Sequence, residues 1–156
     1  MNAYMNQYQQ TQVTTASPER ILIMLYEGAI RFTGRARLAI EDGDPACKRE
    51  SISRAVAIVS YLSDTLDHNA GWDGSEELDG LYAFMIRELT QANLKNDVKA
   101  LGMVEKLLSE LRDTWLEAIN KVHAEKHQEE KTPPAQTEKI EKGKLPANYR
   151  PLSLSL

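Results

Sequence analysis

Two histidines near the end of a predicted helix have the spacing in this chain that comes closest to a catalytic or metal-binding motif. His123 and His127 stand four residues apart, which lets one helical face bind zinc. Zinc proteases place a glutamate directly after the first histidine, whereas here Ala124 follows and Glu125 comes one place later. A solvated helix end is the better interpretation. A metal-binding bundle stays an alternative that predicts zinc-dependent stability.

Asp64, Asp67 and His68 form a second polar group on one predicted helical face. Three ligands at a helix end, without a second helix to supply the rest, make an incomplete metal site. A phosphotransfer histidine would lie mid-helix, whereas residues 69–71 break the helix directly after His68. We expect His68 to interact with the last helical carbonyls as a cation. The sequence therefore predicts no catalytic residue, no metal site and no cofactor.

Charge and composition exclude several classes of partner. The net charge of −4 argues against a nucleic-acid surface, because phosphate binding needs clustered Lys and Arg. The apolar run 21–25 is far shorter than the roughly 20 residues that span a bilayer. The first nineteen residues lack Lys and Arg, unlike a secretory signal, and the single Cys47 cannot form a disulfide framework. We expect a cytoplasmic protein without membrane insertion.

Capping residues and turn residues divide the chain into four predicted helices. Ser17 and Asp44 each precede a proline at a first helical position, which is a typical helix start. A glycine-containing loop precedes Ser75, and Asn96-Asp97 forms a tight corner. The helices are expected to run from residues 17 to about 41, 44 to about 68, 75 to about 95 and 97 to about 125.

Short corners between helices of comparable length predict an all-α, antiparallel up-and-down four-helix bundle over residues 17–125. A polar segment, residues 1–16, is expected to be flexible, and a proline-containing tail, residues 126–156, to be disordered. The first helix is predicted to bury a stripe at seam spacing: Leu22, Leu25, Ala29, Phe32 and Ala36.

Some helices carry more apolar surface than one seam requires. The third helix has apolar residues over about 140° of its circumference, from Leu78 to Ala92, with Phe84 outside that arc. Ile23 and Ile30 lie on the face of the first helix opposite its predicted seam. A bundle core explains part of this surface. The rest indicates a groove covered either by the N-terminal segment or by an incoming helix.

Residues 4–122 resemble the flagellin-specific export chaperone family FliS. The resemblance rests on the following residues in this order: Ala16-Ser17-Pro18, Ile21 to Ala29, Ala36-Arg37, Ala39-Ile40, Leu81-Tyr82, Met85, Leu89, Gln91 to Leu94, Asn96-Asp97, Leu107-Leu108 and Trp115. It implies a cytoplasmic bundle that holds the C-terminal segment of flagellin, keeps it monomeric and competent for the flagellar type III export apparatus, and catalyses no reaction.

The resemblance also implies functional residues and a competing role. A tyrosine in the N-terminal segment is linked to the export-gate protein in this family; Tyr4 matches it by its distance from Ser17-Pro18, and Tyr8 is a second candidate. Client contacts are predicted at the apolar rims of the second, third and fourth helices: Ile58, Leu62, Tyr82, Met85, Leu101, Val104 and Leu108. The alternative function is a regulatory module that sequesters an anti-sigma factor or a translational regulator.

Overall fold

A computed structural model of the protein describes residues 17–69 and 73–131, and these residues form four α-helices. The helices are α1 (Pro18–Glu41), α2 (Pro45–Asp64), α3 (Ser75–Lys95) and α4 (Val98–Glu129). The segment 1–16 predicted to be flexible lies outside the described residues, as does 132–156, the greater part of the predicted tail. None of the described helices combines the length and the apolarity needed to cross a membrane.

Three helices start where a side chain caps them. The Ser17 hydroxyl accepts a hydrogen bond from the Arg20 amide at 3.2 Å, and the Asp44 carboxylate accepts one from the Cys47 amide at 3.1 Å. Asp97 caps α4 in the same way, through the Ala100 amide at 3.1 Å. Each cap satisfies a backbone N–H that has no partner within the helix. The predicted starts of α1, α2 and α4 are therefore confirmed in position, and the predicted capping roles of Ser17 and Asp44 are confirmed as well.

The predicted end of α2 is wrong. The helix stops at Asp64, where the Thr65 hydroxyl bonds back to the Tyr61 carbonyl at 2.9 Å, and Leu66 then turns into the core. His68 consequently lies outside the helix and does not act on its last carbonyls. Its Nδ1 is 3.3 Å from the Ser75 hydroxyl at the start of α3. At the other end of the chain, α4 continues to Glu129, four residues past the predicted limit.

The helices pack as an up-and-down bundle, which confirms the predicted fold. α1 packs against α2 and α4, and α3 packs against the same two helices. Contacts between α1 and α4 run in opposite chain directions, because Tyr26 meets Trp115 while Arg37, further along α1, meets the earlier Glu105. Short corners between consecutive helices produce this antiparallel arrangement.

The buried face of α1 differs from the predicted seam. Leu25 and Phe32, expected in the core, are only half-buried, whereas Ile23, expected on the opposite face, is buried. A helix with two neighbours buries a wide arc, and the centre of that arc cannot be read from spacing alone. The α1 core face also includes Thr33, whose hydroxyl donates to the Ala29 carbonyl at 2.7 Å. Its polar atom is thereby satisfied inside the core.

Candidate binding groove

A shallow apolar groove of about 220 Å³ lies along the junction of α1 and α2. α1 provides most of its lining, and the one contribution from α2 is half-buried. The lining residues are Ile21, Met24, Leu25, Gly28, Arg31, Phe32 and Ile58. Apart from Arg31, these are apolar side chains or glycine, so the groove suits a partner that presents an apolar surface.

Gly28 forms the floor of this groove. A Cβ atom at this position would lie 3.3 Å from the Ile58 Cδ1 atom, which is tighter than ordinary van der Waals contact. The missing side chain lets α2 approach α1 closely, as small residues do at helix crossings. It also leaves the depression that Met24 and Phe32 border. The groove therefore depends on a residue that adds no bulk.

Two arginines mark one end of the groove. The guanidinium carbons of Arg31 and Arg54 lie 5.3 Å and 5.6 Å from the centroid of the Phe32 ring. Both distances suit cation–π attraction, which is stronger where the cation is partly desolvated. Arg54 also donates through Nε to Glu50 at 3.2 Å. The two cations are thus held beside an otherwise apolar surface.

Six of the seven predicted client contacts lie in the core rather than at a rim. The prediction that these residues lie at the rims of their helices is wrong, because each helix packs against two neighbours and its apolar stripe faces the core. Their side chains are at most 2% exposed: Leu62, Tyr82, Met85, Leu101, Val104 and Leu108. In the folded bundle they present no surface to a partner. Ile58 alone among the seven lines the groove.

A buried hydrogen-bond network occupies the centre of the bundle. The hydroxyl groups of Tyr26 and Tyr82 bond to each other, and Trp115 Nε1 donates to the Tyr26 hydroxyl at 3.1 Å. Burial raises the pKa of Tyr26 to about 12, and the bonds with Tyr82 and Trp115 partly oppose that rise. This network joins three helices and lies in the core, away from the groove lining. Tyr82 therefore has a structural position.

The groove residues on α1 were recognisable from their spacing. Ile21, Met24, Leu25, Gly28 and Phe32 follow an i, i+3, i+4, i+7, i+11 pattern, which places them on one helical face. Leu25 and Phe32 were predicted to lie in the core, and the other three residues were not predicted to form a surface. A second complete apolar stripe on the same helix was the pattern that could have identified this surface. Tyr4 and Tyr8 lie outside the described residues.

Polar clusters are sparse in the described part of the chain. Within residues 17–69 and 73–131, no group of three or more His, Cys, Asp or Glu side chains is arranged to hold a metal ion. His127 lies near the exposed end of α4, with Nδ1 3.9 Å from a Glu130 carboxylate oxygen. The histidine spacing noted in the sequence thus coincides with a solvated helical turn.

The fold defines this protein as an antiparallel four-helix bundle, with an apolar groove along the junction of α1 and α2. Its residues 1–122 match the family described as flagellar protein FliS. The chain belongs to the FliS family, and the resemblance found in the sequence is confirmed.

Individual relatives share the greater part of their length with this chain. It is 38% identical over 120 residues to the flagellar secretion chaperone FliS of Bacillus subtilis (strain 168). The aligned residues cover 77% of this chain and 89% of that relative. This chain is 40% identical over 116 residues to the protein of that name from Salmonella typhimurium, covering 74% and 86%. Identity to the flagellar secretion chaperone FliSB of Pseudomonas aeruginosa is 36% over 115 residues, covering 71% and 91%.

Proposed function

We propose that this protein is a cytoplasmic flagellar export chaperone that binds the C-terminal helical segment of flagellin in the α1/α2 groove. Binding keeps that segment from polymerising and delivers it to the flagellar type III export apparatus. Membership of a family whose relatives are named flagellar secretion chaperones supports the general role. The observation that carries the specific proposal is the groove itself, an apolar surface that the bundle leaves uncovered by its own four helices.

The dimensions of the groove suit a helix. Its lining runs from Ile21 to Phe32, which is about 16 Å along α1 at 1.5 Å per residue. A partner helix of about three turns covers that distance and inserts apolar side chains spaced i, i+4 and i+7. Met24, Leu25 and Phe32 border the depression into which the central side chain would fit. An amphipathic segment would bury in this groove the stripe that otherwise drives its assembly.

Release is as necessary to an export chaperone as binding. A client segment that is unstructured when free must become ordered on binding, and that entropy cost offsets part of the contact energy. A shallow groove with few polar contacts also provides a limited interface. The affinity is therefore expected to be moderate, which allows the client to be handed over.

Substitutions in the groove test the site. Gel filtration with light scattering and calorimetry would measure binding of the C-terminal flagellin segment from the same organism to wild-type protein and to Met24→Glu. Met24 lines the groove, and a charge there should weaken binding at least tenfold. Met103→Glu is the matched control, because Met103 is an exposed methionine on α4. Circular dichroism verifies that each variant is folded.

The results of these binding measurements distinguish an error in the client site from an error in the proposed chaperone function. Equal binding by wild type and Met24→Glu would move the client site away from this groove. Absence of any complex at micromolar concentration would overturn the chaperone proposal, and binding of an anti-sigma factor instead would favour the regulatory module. Leu108→Glu does not test the site, because Leu108 is fully buried and a charge there unfolds the bundle.

Delivery is proposed to use the N-terminal segment. Tyr4 is the first candidate for contact with the export-gate protein, and Tyr8 is the second. Tyr4→Ala should leave flagellin binding in vitro unchanged while reducing flagellin secretion by cells. Tyr8→Ala provides the comparison. Normal secretion with both substitutions combined would contradict this role.

A further inference from the structure

We propose that Arg31, positioned over Phe32, binds a carboxylate of the client at one end of the groove. The inference rests on the proposed function and adds a rule of client selection: the bound segment carries an acidic residue about one helical turn beyond its apolar anchors. Such a rule distinguishes a client from any other amphipathic helix, because apolar contacts alone discriminate poorly between helices of similar hydrophobicity.

The Phe32 ring holds the cations of Arg31 and Arg54 in place. The guanidinium carbons lie 5.3 Å and 5.6 Å from its centroid, and Phe32 and Arg31 both line the groove. A long side chain normally loses conformational freedom when it forms an ion pair, which limits the gain from exposed pairs. Contact with the ring restricts these side chains before a partner arrives. The guanidinium fork also suits two hydrogen bonds to one carboxylate.

The charge around this site is opposite in sign to that of the whole chain. The net charge is −4, yet Arg31, Arg35 and Arg54 outnumber Glu27 and Glu50 along the same stretch of α1 and α2. Arg54 has Glu50 as a partner at 3.2 Å. Among the described residues, no acidic group lies within salt-bridge distance of Arg31 or Arg35. The groove end therefore offers cationic charge that a client can neutralise.

Charge complementarity favours a client over the protein's own N-terminal segment. Residues 1–16 include no Asp or Glu, so this segment can match the apolar lining but not the arginines. A helix whose apolar stripe lies over Gly28 and Ile58, with a carboxylate reaching Arg31, matches both parts of the surface. We accordingly assign the groove end to an acidic side chain of an amphipathic partner helix.

The test compares two arginines that lie over phenylalanines in different places. Arg31→Gln removes the charge at the groove, and Arg87→Gln is the matched control, because Arg87 lies 6.0 Å from the Phe84 ring on α3, which does not line the groove. The C-terminal flagellin segment is titrated against each variant by calorimetry at about 50 mM and 300 mM salt. Arg31→Gln should weaken binding about two- to fivefold and Arg31→Glu about tenfold at low salt, with the Arg87 variant unchanged.

The client side of the contact is identified in the same experiment. Each Asp and Glu of the flagellin segment is replaced in turn by Asn or Gln. One replacement should weaken binding to the wild type and have no further effect on Arg31→Gln, which is the signature of a direct pair. The difference between wild type and Arg31→Gln should shrink at higher salt, where exposed charges are screened.

Failure of the inference can be told apart from failure of the proposed function. If the segment binds and neither the arginine variants nor the acidic replacements change its affinity, the carboxylate contact is overturned and the chaperone role stands. If the Met24→Glu variant and the arginine variants all bind normally, a different surface holds the client. If no complex forms with the wild type, both proposals are overturned.

Discussion

The hydroxyl groups of Tyr26 and Tyr82 share a hydrogen bond in the centre of the bundle and so connect α1 with α3, which lie diagonally across the bundle from each other. Trp115 on α4 donates to the same Tyr26 hydroxyl. The three side chains are at most 6% exposed. Because these bonds have direction, whereas apolar contacts do not, they fix how the helices are rotated relative to one another.

Removing the Tyr26 hydroxyl should destabilise the fold. Tyr26→Phe leaves Tyr82 and Trp115 with one partner fewer in the core, and we expect a loss of about 1–3 kcal/mol in the free energy of unfolding. Urea denaturation followed by circular dichroism measures it. Tyr61→Phe on the exposed face of α2 is the control and should change stability by less than about 0.5 kcal/mol. Equal stability of the two variants would contradict the structural role of the network.

Alkaline pH should destabilise the protein through the same residue. Burial raises the pKa of Tyr26 from 10.0 to about 12, so that below pH 10 the residue is neutral in both the folded and unfolded states. Between pH 10 and 12 only the unfolded state ionises, and the free energy of unfolding falls by about 1.4 kcal/mol per pH unit, or about 3 kcal/mol in all. Urea midpoints across this range measure the fall. It should be correspondingly smaller in Tyr26→Phe, and identical curves would refute the assignment.

Two glycine-to-alanine substitutions should change the stability of the protein in opposite directions. Gly80 lies within α3 with open space where a Cβ atom would lie, so Gly80→Ala should stabilise the protein by up to about 1 kcal/mol through helix propensity. Gly43 lies between α1 and α2 with φ of +69°, also in open space. Gly43→Ala should destabilise by about 1 kcal/mol, because a Cβ is unfavourable in the left-handed region. Thermal unfolding distinguishes the two, and shifts of the same sign would contradict this account.

The corner between α3 and α4 should depend on Asn96 in two ways. Asn96 has left-handed backbone angles, and its side-chain oxygen accepts a hydrogen bond from Lys48 Nζ at 2.7 Å. Asn96→Gly keeps the backbone and loses the bond, whereas Asn96→Ala adds about 1 kcal/mol of backbone strain to that loss. Denaturation of both variants, alone and combined with Lys48→Met, separates the two contributions. If glycine and alanine are equally destabilising, backbone strain at this corner is negligible.

Local chemistry made the starts of three helices predictable, but not the ends of α2 and α4. Ser17, Asp44 and Asp97 cap helices through bonds to residues three places ahead, and such bonds can be read directly from the sequence. The end of α2 could not be read in this way. Leu66 leaves the helix because its side chain is buried in the core, and that contact depends on the arrangement of all four helices.

The candidate site was predictable only in part. The family and the bundle followed from the order and spacing of residues, and Ile58 is the one predicted contact that lines the groove. The other six helix positions are core residues, because an apolar stripe has the same spacing whether it faces a neighbouring helix or solvent. The pairing of Arg31 and Arg54 over Phe32 was not predictable, since it joins residues of two helices.

The length of α4 divides that helix into two parts of unequal protection from solvent. Tyr26 on α1 and Trp115 on α4 lie at the same level of the bundle. From that level α1 extends eight residues back to its first residue, and α4 extends fourteen residues forward to its last. The end of α4 therefore lies about 9 Å beyond the start of α1. Residues 126–129 are all exposed. Their amides should exchange hydrogen for deuterium through local fraying, while those near Leu108 exchange only when the whole bundle opens. One continuous helix thus contains both a rapidly opening end and a segment that reports global unfolding.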